Sequence, residues 1–82
     1  MTAAELLPLL NSFQRAVLKA LDDAGEDGLT EEEIQDKLAM LPGTEKRALR
    51  ELAGMLLVQT TGERRATRAG RQANVWRACK RI

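Results

Sequence analysis

Arg64, Arg65, Arg68 and Arg71 crowd into the twelve-residue run Thr61-Gly62-Glu63-Arg64-Arg65-Ala66-Thr67-Arg68-Ala69-Gly70-Arg71-Gln72, which contains two glycines and lies between two apolar stretches. A loop of this composition offers guanidinium groups to phosphates or to a narrow groove, with Thr67 and Gln72 as neutral donors beside them. A second set of cations, Lys46, Arg47 and Arg50, lies about fifteen residues earlier in a short segment of helical pattern. The chemistry on offer is therefore anion recognition at two places in the chain.

The charge distribution supports that reading and also complicates it. Seven bases (Arg64, Arg65, Arg68, Arg71, Arg77, Lys80, Arg81) against one acid, Glu63, follow Gly62, whereas residues 1–44 carry nine acids against three bases. The formal net charge of +1 thus hides a dipolar chain. Other chemistries are poorly served. With no His, no Tyr, one Ser and one Cys, neither a His/Cys metal site nor a nucleophile with an imidazole base can be assembled. The carboxylates Glu31, Glu32, Glu33 and Asp36 read as a solvated helix start that complements the helix dipole, not as a general acid and base. The expectation is a protein that is not an enzyme, with no cofactor, no metal and no small-molecule substrate. The lone Cys79 fits a reducing, cytosolic setting, and no apolar run approaches the roughly 20 residues of a membrane helix. The chain reads as cytoplasmic, with no membrane partner.

At 82 residues there is room for one domain with one modest core. A weak capping box, Thr2 with Glu5, is soon interrupted by Pro8, so residues 1–10 read as an N-terminal arm and 11–82 as the domain. A helix is expected from Ser12 to Ala24, capped by Asn11 or Ser12 and stopped by Gly25, with Phe13, Val17, Ala20, Leu21 and Ala24 on its inner face. A clearer capping box, Thr30 with Glu33, opens a second helix from Glu31 to about Ala39, with Ile34 and Leu38 inward. The turn Met40-Leu41-Pro42-Gly43 leads to Thr44, placed to cap a third helix over 45–54. At about 100° per residue, Ala48, Leu49, Leu52 and Ala53 share one side of that helix and Lys46, Arg47 and Arg50 the other. Met55-Leu56-Leu57-Val58 and Asn74–Ala78 read as two strands paired antiparallel, with the Arg-rich segment as their long loop. Trp76 reads as core closure, and with so few aromatics the chain lacks a stacking platform for single strands.

The fold class expected is therefore mainly α with a C-terminal β-hairpin. The segments Gly28–Ile34, Pro42-Gly43-Thr44, Arg50-Glu51-Leu52, Leu57-Val58 and Gly62–Arg77 resemble the small winged helix-turn-helix proteins common in phages, prophages and bacteria, over about residues 13–78. The Gly-Arg…Val-Trp ending of the hairpin loop is the most specific part. Two departures stand out: the family tends to have Gly where this chain has Leu56, and a third helix richer in Arg. The resemblance implies a three-helix core plus a wing, binding double-stranded DNA as a small transcriptional regulator or phage DNA-binding protein. Lys46, Arg47 and Arg50 would enter the major groove and Thr44 would meet a phosphate at the helix start. Arg64, Arg65, Arg68 and Arg71, with Thr67 and Gln72, would reach the flanking backbone or minor groove. On this reading the acidic face of the second helix, Glu32, Glu33 and Asp36, must point away from the contact surface. A homodimer on a two-fold site stays open, as does the rival reading of a docking module or phage-encoded modulator of a host protein.

Overall fold

The computed structural model describes residues 9–79; the expected features at Thr2, Glu5 and Pro8 and the cations Lys80 and Arg81 lie outside the described residues. Among the described residues three helices precede a two-stranded antiparallel hairpin: α1 (Ser12–Ala24), a 3-10 turn (Gly25–Asp27), α2 (Glu31–Leu38), α3 (Thr44–Gly54), β1 (Val58–Ala66) and β2 (Gln72–Ala78). Among the described residues, no helix is long and apolar enough to cross a membrane.

Local chemistry sets the helix starts. Asn11 caps α1 in a reciprocal box with Gln14: its Oδ1 accepts the Gln14 N–H at 2.8 Å, and Gln14 Oε1 accepts the Asn11 N–H at 3.0 Å. Thr30 and Glu33 do the same for α2 at 3.2 and 2.8 Å. Each box satisfies two N–H groups that the helix itself cannot. The core is one cluster of Leu10, Val17, Leu18, Leu21, Ile34, Ala48, Leu49, Leu52, Leu57 and Val58, with Trp76 and Leu38 packed against it. The inner face of α1 differs from expectation at its first turn. Phe13 is 55% exposed, while Gln14 is buried and passes a hydrogen bond from its Nε2 to Glu51 on α3 at 3.2 Å. The capping role of Gln14 brings it to the side facing α3.

The chain leaves α3 by a turn, where a strand was expected. The N–H groups of Leu56 and Leu57 fold back onto Ala53 O and Leu52 O, both at 3.0 Å. Leu56 is thereby held at φ 62°, 80% exposed, and β1 begins only at Val58. This is the position where the resembled family tends to carry Gly, and its left-handed backbone is the one glycine adopts without steric cost.

The hairpin is longer and its loop shorter than expected. Pairing runs from Val58↔Ala78 to Ala66↔Gln72, interrupted by a bulge at Thr61-Gly62-Glu63, so Arg64 and Arg65 belong to β1 and not to the loop. The hairpin is tied to the helices by an antiparallel bridge in which Leu29 N–H donates to Trp76 O at 2.9 Å and Trp76 N–H to Leu29 O at 2.8 Å. Gly28 makes that approach feasible. It sits at φ 64°, and a Cβ there would lie 2.4 Å from Trp76 O and 2.7 Å from Val75 Cγ1. The Trp76 ring packs on the core, its Nε1 buried without a hydrogen-bond partner among the described residues.

Two substitutions should act in opposite directions in urea denaturation. Gly28→Ala is expected to cost about 2–4 kcal/mol through backbone strain and the clash with Trp76. Leu56→Gly should add about 0.5 kcal/mol, since relief of a left-handed Leu exceeds the entropy that glycine costs.

Candidate nucleic-acid interface

Helix α3 divides as its angular pattern predicts. Ala48, Leu49 and Leu52 are buried, while Lys46, Arg47 and Arg50 are exposed. No ion pair occupies these three cations among the described residues. The fourth buried residue was missed in the sequence. Glu45, only 2% exposed, accepts the Gly43 N–H at 3.1 Å and the Gln35 Nε2–H at 2.7 Å. It therefore ties the end of α2 to the start of α3 and fixes the turn between them. The signal was present, because Glu45 lies in the arc between Ala48 and Leu49 on the helix wheel.

This arrangement corrects the role expected of Thr44. The N-cap is Gly43, at φ 98° and with no side-chain cap bond; Thr44 is the first helical residue, and its N–H donates to Leu41 O at 3.1 Å. The Glu45 carboxylate already supplies the negative charge that this helix start favours. A phosphate at Thr44 would lie beside that carboxylate.

The hairpin arginines separate into three kinds. Arg65 on β1 donates from Nη1 to Glu33 Oε1 and from Nη2 to Asp27 O at 2.8 Å. Glu33 Oε1 also accepts the Thr30 N–H, so Arg65 is built into the capping box of α2 and braces the hairpin against it. Arg68 at the hairpin tip sets its guanidinium across the Asp36 carboxylate at 3.1 and 3.2 Å, while its backbone N–H donates to Glu32 Oε1 at 3.1 Å. Arg64 and Arg71 are exposed and make no ion pair among the described residues; Arg64, whose cross-strand partner is Asn74, donates from Nη2 to Gln72 O at 3.5 Å. Gln72 is the first residue of β2, paired with Ala66. Thr67 shapes the tip, its hydroxyl accepting the Arg71 N–H at 3.3 Å and its carbonyl the Gly70 N–H at 2.9 Å.

The acidic face of α2, expected to point away from the DNA contact surface, receives the hairpin. Two carboxylates one helical turn apart, Glu32 and Asp36, face the arginine-rich stretch of chain, and Coulomb attraction draws Arg68 to them. Their worth is small. The Arg68 and Asp36 side chains are 70% and 55% exposed, and exposed pairs of this kind contribute about 0–1 kcal/mol each.

Comparison with family models, with curated proteins and with solved structures yields no match to this chain.

Glu45→Ala should destabilise the fold by about 1–3 kcal/mol, because the Gly43 N–H and the Gln35 amide lose their acceptor in a buried place. Lys46→Ala, one residue along but exposed, should stay within about 0.5 kcal/mol. Urea midpoints of the two variants check the contrast.

Proposed function

We propose that this chain is a duplex DNA-binding protein of the winged helix-turn-helix type, with α3 as the reading helix and the hairpin as its wing. The observation that carries this reading is the cationic side of α3, bordered by Glu51. Lys46, Arg47 and Arg50 are exposed together, opposite Glu45, Ala48, Leu49 and Leu52. A helix entering a major groove needs that combination of a buried anchor and a solvent-facing cationic surface. The order of three helices and a hairpin, with a short turn between α2 and α3, supports the same type.

The cations available to phosphates differ from the first expectation. Arg65 is committed to α2 and Arg68 is paired with carboxylates, which leaves Lys46, Arg47, Arg50, Arg64 and Arg71. Biologically, a small transcriptional regulator or phage DNA-binding protein fits this inventory.

One observation favours a second reading, a module that docks on an acidic protein. The hairpin tip already engages carboxylates, those of its own α2. Sequestration of the same arginines by a partner's acidic segment would use the same chemistry.

Duplex binding followed by fluorescence anisotropy separates the two. Each contacting cation contributes about −0.9 to the slope of log K against log salt. The α3 set alone gives about −2.7, and the addition of Arg64 and Arg71 gives about −4.5. Replacing Lys46, Arg47 and Arg50 by Ala, with the fold checked by circular dichroism, should remove most duplex affinity. Unchanged affinity in that variant, together with capture of an acidic protein from lysate, would support docking instead. Selection of bound duplexes from a random pool would then distinguish a regulator, which enriches a motif, from an architectural protein.

A further inference from the structure

We infer that the pairing of the hairpin tip with α2 is an autoinhibitory latch: Glu32 and Asp36 hold on the protein the Arg68 guanidinium that a DNA phosphate takes when a duplex docks on α3. The inference rests on the duplex-binding reading above and deepens it. It assigns Glu32 and Asp36 a part in binding, though neither touches DNA.

Three features make Arg68 a latch and Arg65 a brace. The Arg68 guanidinium presents two parallel N–H donors to Asp36, at 3.1 and 3.2 Å, the same fork that a phosphate would accept. Its Nε lies 3.6 Å from Glu32 Oε1, and the backbone N–H adds a third donor to the same pair of acids. All of this sits beyond Ala66↔Gln72, the last registered pair of the hairpin, so the tip can part from α2 without breaking the ladder. Arg65 has no such freedom. It is only 39% exposed, bonded to a backbone carbonyl and to a carboxylate that caps α2, so its release would open the start of that helix.

The consequence is a threshold on binding. In the closed protein Arg68 is neutralised, so non-specific attraction to a polyanion falls to the remaining cations. A duplex that docks on α3 and extends to the tip brings phosphate to Arg68, and an exposed pair held this weakly exchanges carboxylate for phosphate. Two carboxylates then stand beside the duplex, which opposes contacts that α3 does not also secure.

The test is a cycle of four proteins: the native chain, Glu32→Gln/Asp36→Asn, Arg68→Ala, and the three substitutions together. Glu33 is kept so that the capping box survives. The acid-free variant should bind duplex about three- to tenfold more tightly, with a salt slope steeper by about 0.9. Arg68→Ala should cost at least about threefold more affinity in that background than in the native one, because the native chain must first break the pair. Equal costs in both backgrounds would overturn the latch while leaving duplex binding by α3 intact, as would weaker binding by the acid-free variant. Amide hydrogen exchange at Arg68 gives a readout without DNA. Protection in the native chain that is lost in the acid-free variant supports the closed state, and its absence from the native chain overturns it. If neither the native chain nor the acid-free variant binds duplex, the DNA-binding reading itself fails, and the latch with it.

Discussion

Two backbone hydrogen bonds between Leu29 and Trp76 decide where everything else in this molecule sits. They join the link between α1 and α2 to the inner strand of the hairpin and fix its register against the helices, on which Val58 and Trp76 pack. The bond is feasible because Gly28 brings two backbones closer than any side chain allows. Once β2 is fixed there, β1 lies alongside it, and Arg65 and Arg68 arrive over the first turns of α2. The electrostatics of the surface follow from a contact between backbones.

The separation of charge along the chain therefore does not survive as a separation in space. Part of the basic C-terminal third folds onto part of the acidic first half, while Lys46, Arg47 and Arg50 on α3 and Arg64 and Arg71 on the hairpin stay exposed without an ion pair among the described residues. Within α3 the same economy of charge appears on a smaller scale, where Glu45 spends its negative charge inside the turn that holds α3 against α2. Polar bonds of this kind do not add much stability, but they fix geometry, because only one arrangement satisfies every partner.

The helices were legible because their signals are local. The boxes Asn11/Gln14 and Thr30/Glu33 and the stop at Gly25 operate within four residues, and the expected bounds of α1 match those observed. The hairpin was legible in kind but not in extent. Where pairing stops depends on the Thr67–Gly70 turn and on a bulge at Thr61-Gly62-Glu63, neither of which apolar density records. Leu56 was misread as strand for the same reason, since its apolar side chain says nothing about a backbone bent by the end of α3. The candidate site was least legible. Lys46, Arg47 and Arg50 follow from helix geometry, but the engagement of Arg65 with Glu33 and of Arg68 with Asp36 spans thirty-two residues of chain, a separation that no periodicity encodes.

Trp76 is the single indole of the chain, and the chain has no tyrosine. Its ring lies at the seam between hairpin and helices, with a buried Nε1 that meets no acceptor among the described residues. The indole stands at the joint on which the hairpin's placement depends, and the molecule thereby carries its own optical gauge of that joint. Water admitted between β2 and Leu29 would hydrate the indole and shift its emission to the red before any helix unwinds.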